Sequence, residues 1–202
     1  MRKVIIITLI TILIMSLAAL VYYLVVYNKE DSGRGLIMEI PEWNYRLEDT
    51  ATSLMIEEFT RLKEILTADE IDNTAYAETV ARLFVADLYT LSNKQNKYDI
   101  TSSQFMLPSF EDNFRLNVQN TIYRFLEDNT AGNRTQRLPE VNSVRTVSQE
   151  AIQFEIDDEE FEAYQIVLTW TFTEDMGYDD NAVIILIRDG KFFHIVEKNR
   201  SS

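Results

Sequence analysis

Residues Val4 to Tyr27 form an unbroken run of 24 residues, VIIITLITILIMSLAALVYYLVVY, with no charged residue, Gly or Pro. At a helical rise of about 1.5 Å per residue the run reaches about 36 Å, enough to cross a hydrocarbon layer of about 30 Å with some tilt. Six Ile, five Leu and four Val dominate it. Each favours insertion by about 0.3–0.6 kcal/mol near the bilayer centre. Its hydroxyls, on Thr8, Thr11 and Ser16, can bond back to carbonyls of the preceding turn. The run predicts a transmembrane helix. A cleaved signal peptide has an apolar core of about 7–15 residues ending at a small-x-small site. Here the apolar sequence continues through Ser16-Leu17-Ala18-Ala19 to Tyr27.

The flanks set the orientation. Arg2 and Lys3 precede the helix, and Lys29, Glu30 and Asp31 follow it. The positive-inside rule then keeps residues 1–3 in the cytoplasm and sends the rest across the cell membrane. Tyr22, Tyr23 and Tyr27 would lie near the outer headgroups. The chain has 202 residues and a net charge of −14. Without Arg2 and Lys3 the exported part carries 17 basic and 33 acidic residues, a charge of −16. Such a domain repels nucleic acid and anionic headgroups, so its charge points to proteins or cations as partners. The anchor makes the membrane itself a partner, and envelope proteins and further copies of the chain are expected beside it. The absence of Cys excludes disulfides, thiolate metal sites and thiol nucleophiles.

Asn28 to Arg34, with Gly33 and Gly35, reads as a stalk, and Pro41 interrupts the mixed stretch Leu36 to Trp43. The expected organisation is a tail at 1–3, an anchor at 4–27, a stalk at 28–44 and an extracytoplasmic domain at 45–202. Trp43 either caps the domain core or rests on the membrane.

From Tyr45 to Thr67 the apolar period is helical: Ala51, Met55, Phe59, Leu62 and Leu66 share a stripe, widened by Leu54 and Ile65. A second helix, capped by Asn73 or Thr74, carries Tyr76, Val80, Leu83, Phe84, Leu88 and Leu91. Asp87 falls close to that face, where it reads as a rim carboxylate paired with Arg82 or with solvent. Ser92 to Tyr98 is a loop, and Ile100 to Met106 a short strand. A third helix starts at Pro108-Ser109, with Ser109 and Asp112 resembling a capping box. Its stripe is Phe110, Phe114, Val118, Ile122 or Thr121, and Phe125, fraying near Asp128-Asn129 before Gly132.

Beyond Arg134 the period becomes two. Strands are expected at Val141–Val147 and Ala151–Ile156, followed by the acidic turn at 157–160. The clearest strand alternates Tyr164, Ile166, Leu168, Trp170 and Phe172 against polar residues. Asn181 to Ile187 is apolar on both faces, and Asp189-Gly190 predicts a type I′ turn into Lys191–Glu197. Helices with one apolar stripe and strands with one apolar face bury each other in two layers. The expected class is α+β: three helices packed on a curved antiparallel sheet of about four strands.

This order of elements over Thr74 to Asn199 resembles the NTF2-like, or cystatin-like, superfamily. With its single-pass anchor and short cytoplasmic N-terminus the chain resembles the bitopic scaffold subunit of type IV secretion and conjugation machines. The stretch FVADLYTLSNKQNKYDITSSQFMLPSFEDNFRLNVQNTIYRFLEDN, Phe84 to Asn129, is also similar to Gram-positive membrane proteins of this build. The resemblance implies an NTF2-like cone, a fold that hosts both enzymes and assembly domains.

Catalytic, cofactor-binding and metal residues are expected to be none. His194, the single histidine, has no Cys to join it in a zinc set and no motif marking a Ser or Thr nucleophile. Asp87, Tyr89, Tyr123 and Tyr164 supply the residue types of an acid–tyrosine site without a spacing that marks one. The acidic loops at 157–160 and 174–180 match no spaced calcium loop. Gly33-Arg34-Gly35 lacks the strand and helix of a phosphate loop, and Asn133 and Asn199 fit a glycosylation sequon. Two functions follow: a non-enzymatic assembly subunit of an envelope complex, or a membrane-displayed ligand-binding or enzymatic domain using the cone as a pocket. A sealed apolar interior favours the first, and an open cone with a buried carboxylate near a Tyr favours the second.

Overall fold

Residues 36–200, together with Ser16, are described by a computed structural model. The expected tail, the anchor at 4–27 and the stalk up to residue 35 otherwise lie outside the described residues. Among the described residues, no helix is long and apolar enough to cross a membrane. The chain divides into one unit up to Gly35 and a second from Leu36 onward; the second is described below.

The folded unit begins earlier than the expected stalk boundary. Strand β1 (Leu36–Ile40) pairs antiparallel with β2 (Tyr45–Glu48) across a 3₁₀ turn at Pro41–Trp43. Asn44 closes that turn at φ 54°, its N–H donating to the Pro41 carbonyl, a left-handed position that Asn tolerates better than most residues. Residues 36–44 are therefore part of the domain, and residues 45–48 are strand where a helix was expected. The cause is local: Tyr45 and Leu47 are buried while Arg46 between them is exposed, a period of two. Trp43 caps the core, its ring 5.5 Å from Tyr76 and 5.7 Å from Phe192.

Helix α1 (Ser53–Leu66) starts after Thr52, whose hydroxyl accepts from Met55 N–H at 3.4 Å. It buries Met55, Phe59, Leu62 and Leu66, the expected stripe. Helix α2 (Asn73–Tyr89) is capped by Asp72, one residue before the expected caps; its carboxylate accepts from Thr74 and Ala75 N–H at 2.9 and 3.0 Å. The anticipated single stripe is too narrow, because Ala77, Ala81, Val85 and Ala86 are buried as well as Val80, Leu83, Phe84 and Leu88. Small residues on the second face let other elements approach closely, which makes α2 the central helix.

Thr101–Phe105 is a 3₁₀ turn where a strand was expected, and only Met106 forms an isolated bridge, to Ile195. Helix α3 (Pro108–Asn120) begins with Pro in its first turn, after Leu107, so Ser109 lies inside the helix and the capping box does not form. It ends at Asn120, short of Asp128. Leaving the helix there lets Tyr123 turn inward, fully buried, while Phe125 is 77% exposed instead of on the apolar face.

Four strands follow in the order β3 (Val141–Ile156), β4 (Glu159–Phe172), β5 (Asn181–Asp189), β6 (Phe192–Asn199), all antiparallel. The two strands expected at 141–147 and 151–156 are one. A bulge between Thr146 and Ser148 shifts the register, and a one-residue shift exchanges the faces. Before it, Val144 and Thr146 share a face with Trp170 and Leu168; after it, Ile152 and Phe154 pair with Ala163 and Phe161 on the opposite face. The turn chemistry also differs. The β5–β6 loop is Gly190-Lys191, with Gly190 alone at positive φ (59°), whereas Asp157 and Asp158 both have positive φ (52° and 66°) in the β3–β4 loop. The type I′ signature thus sits at Asp157-Asp158.

Tyr164, Ile166, Leu168, Trp170 and Phe172 face the helices, with Ile166, Leu168 and Trp170 buried in the same core as α1 and α2. The architecture is α+β: three helices on a four-stranded antiparallel sheet.

Candidate functional site

The most polar feature of the interior lies where α2 ends. Asp87, on the last turn, meets Lys94 after one loop: Nζ is 2.5 Å from Oδ1, and Lys94 is 1% exposed. The Thr101 hydroxyl accepts from Lys94 at 2.8 Å and donates between the Asp87 oxygens at 2.8 and 2.7 Å. Charge and hydrogen-bonding capacity are thereby met inside the protein, as burial of a carboxylate and an ammonium requires. Asp87 is not the rim carboxylate expected, and its partner is not Arg82. That guanidinium pairs with Glu58 of α1, with Nε at 3.0 Å and a second contact through Nη2. The sequence gives no periodic signal for Lys94, which sits in a polar loop seven residues beyond Asp87. The cavity beside the pair is about 30 Å³, between Phe59, Leu83, Phe105 and the charged groups. That is room for about two waters, far below a ligand pocket of roughly 300–1,000 Å³.

Asp87 and Tyr123 are neighbours, but the four residues of the envisaged acid–tyrosine site do not share hydrogen bonds in one site. Tyr123 donates to the Leu88 carbonyl at 3.0 Å and reaches the backbone carbonyl of Asp87 at 3.5 Å, not its carboxylate. Tyr89 donates to Asp179 at 3.4 Å, and Tyr164 lies 3.3 Å from the Thr74 hydroxyl. A pair that the sequence did not reveal is Tyr45–Tyr76, with hydroxyls 2.7 Å apart.

Burial pushes these phenols up. Tyr76 rises to about 12, and Tyr45 is raised well above the ordinary phenol range, through burial first and then the nearby Tyr76. Tyr123 rises through burial with Asp87 and Asp99 adding, and Tyr89 through burial with Asp179 adding. A raised phenol pKa means that the unfolded chain releases protons first. The stabilisation is complete below the ordinary value of 10.0 and is lost as pH rises through the folded-state values. In an alkaline titration, phenolate absorbance should therefore show two groups of tyrosines. These four should ionise only with the cooperative loss of folded circular dichroism. Ionisation of all ten in one transition near pH 10, with the fold intact, would refute the buried assignments.

An open groove of about 400 Å³ lies between α2, α3 and β6. Phe84, Leu88, Phe114, Val118 and Ile195 line its apolar part; Tyr89, Asp179 and Lys198 form its polar end. Lys198 sits 4.0 Å from Asp179 and 5.5 Å over the Tyr89 ring, and Arg200 is 3.8 Å from the same carboxylate. Burial lowers the Lys198 pKa, against the pull of Asp179.

His194 lies half-buried on the sheet surface, stacked on Phe192 at 5.6 Å, with Nδ1 making no hydrogen bond among the described residues. Burial lowers its pKa. The acidic loops are occupied with local bonds. Asp175 accepts from Gly177 N–H at 2.9 Å, Glu174 pairs with Arg137, and Asp157-Asp158 forms the hairpin turn. Among the described residues, no group of three His, Asp or Glu is placed to hold a metal ion. Asn133 and Asn199 are exposed; Gly33-Arg34-Gly35 lies outside the described residues. No family model matches the chain, and neither curated proteins nor solved structures give a match.

Proposed function

We propose that the chain is a membrane-anchored, non-enzymatic assembly subunit of a cell-envelope complex. In this reading residues 4–27 span the cell membrane with the N-terminus in the cytoplasm, and an NTF2-like, or cystatin-like, domain outside binds other envelope proteins. A conjugation or type IV secretion machine is the setting its resemblance suggests. One observation carries the proposal: the interior charges pair with each other and leave little free space beside them. Asp87, the acid best placed for chemistry, is consumed by Lys94 and Thr101 beside a cavity of about 30 Å³. The groove of about 400 Å³ ending at Tyr89, Asp179 and Lys198 favours a second reading, in which the displayed domain holds a small amphipathic molecule.

The test is cross-linking of the full-length protein in its membrane. Anchoring confines copies and partners to two dimensions, so a weak interface becomes effective at the raised local concentration. Homo-oligomers or complexes with envelope proteins are expected there. Recovery of monomer only, together with a small molecule retained through purification, would replace the assembly reading with the second.

A further inference from the structure

The end of the β3–β4 hairpin differs from the rest of the sheet. β5 pairs with β4 only from Ala163 to Thr169, so the backbone of Glu159–Glu162 pairs with β3 alone, although the Glu162 carboxylate meets Arg188 of β5 at 3.5 Å. Residues 153–162 therefore project as a two-stranded arm that continues the exposed edge of β3. β3 is an edge strand of the sheet. The opposite edge, β6, is partly covered, since Met106 bridges Ile195 and Leu107 N–H donates to its carbonyl at 3.1 Å.

The backbone of the arm has a definite polarity. Its two-residue loop makes Ile156 and Glu159 a hydrogen-bonded pair. Alternation then assigns Phe154, Ile152 and Glu150 to the β3–β4 ladder. Gln149, Ala151, Gln153 and Glu155 are left to aim N–H and C=O outward. All four are exposed. From Ser148 to Ile156 the strand has no Pro and no Lys, and its bulge ends at Ser148. Glu150 and Glu155 are its only charges, so the edge is open to a partner of opposite sign. One face of the arm is apolar, with Ile152, Phe154, Ile156 and Phe161 half-buried around Ala163, Ile185 and Ile187.

Charge selects the occupant. Residues 148–163 contain seven acids, Glu150, Glu155, Asp157, Asp158, Glu159, Glu160 and Glu162, and no Lys or Arg. A charge of −7, half of the chain's net −14, therefore sits on this stretch, six of the seven acids on the arm itself. A second copy would bring the same seven acids and be repelled. We propose that β3 accepts, as a fifth strand, an extended segment of another envelope protein that alternates Lys or Arg with apolar residues. Main-chain hydrogen bonds would supply affinity, the acids would set partner sign, and the apolar face would take alternate side chains. This proposal rests on the assembly reading and names the surface that reading needs.

The full-length protein can be titrated with a fluorescent peptide alternating Lys and Val, with a Glu/Val peptide as control. The Lys/Val peptide should bind and the Glu/Val peptide should not. Binding should weaken roughly tenfold from about 0.01 M to about 0.15 M salt, as the Debye length falls from about 30 to about 8 Å. Gln153→Pro removes an outward N–H without touching the β3–β4 ladder; it should abolish binding while the melting temperature stays unchanged. Gln153→Ala keeps the N–H and should bind like the parent. If Gln153→Pro binds as well as Gln153→Ala, attraction to the acids alone is at work and strand addition is refuted. No binding by the parent, or self-association through the arm, also refutes it. Membrane cross-links that persist in Gln153→Pro would leave the assembly reading standing while this surface falls. Loss of every cross-link in the parent would remove the assembly reading itself.

Discussion

Replacing Lys94 with Met should destabilise the domain by about 3–5 kcal/mol, toward the lower end, because it leaves the Asp87 carboxylate buried with only a hydroxyl for support. Lys94 is sealed, its side chain 1% exposed, whereas the Asp87 side chain keeps 13% exposure, so a little solvent tempers the loss. The Thr101 hydroxyl, which now bridges the two charges, cannot neutralise either. The informative companion is the double variant Asp87→Leu/Lys94→Met. An apolar pair of similar volume in a site walled by Phe59, Leu83 and Phe105 should recover most of the stability, since buried ion pairs rarely exceed well-packed hydrophobic replacements. Urea unfolding gives both values. A single-variant cost below about 1 kcal/mol, the range of exposed pairs, would mean that water reaches the pair and that the interior is not closed.

The outline of the fold was legible because it depends on periodicity. The stripes of α1, the start of α3 at Pro108, the Tyr164-to-Phe172 alternation and the α+β layering all follow from side chains that choose one face. What was not legible depends on departures from a period. Ser148 to Glu150 reads as a break between strands, yet a bulge between Thr146 and Ser148 carries one strand onward with its faces exchanged. Tyr45 and Leu47 alternate with Arg46 over too few residues to stand out against the helical stripe that follows from Ala51, and pairing with β1 fixes them as strand. The α3 stripe points to Phe125, but Tyr123 wins the buried position because its hydroxyl finds the Leu88 carbonyl. Burial of Lys94 is the extreme case. Nothing in SNKQNKY marks one lysine as interior, and only the three-dimensional meeting with Asp87 and Thr101 makes it tolerable. The residue types of an acid–tyrosine site were readable one by one, and the separate hydrogen-bond partners each of them takes were not.

Trp170 tests whether the sheet and helices meet as described. Its ring is 3% exposed and lies 4.9 Å from Tyr89 of α2, tilted by 35°. It also stands opposite Val144, the last buried residue of β3 before the bulge. Trp170→Ala should therefore cost about 3–5 kcal/mol, from lost apolar burial plus a cavity that the sheet, the helix and the bulged strand cannot close together. Trp170→Phe should cost far less than this, because Nε1 has no hydrogen-bond partner among the described residues, and removing an unpaired buried donor offsets part of the lost contact area. The backbone N–H of residue 170, which donates to the Asp180 carbonyl at 2.8 Å, is retained in both variants, so the comparison isolates the side chain. Thermal and urea unfolding should rank the proteins parent, Phe, Ala, with the Phe variant nearer the parent. Equal losses for Phe and Ala would show that the indole N–H is paired and contributes; no loss for Ala would place the other face of β4 against the helices.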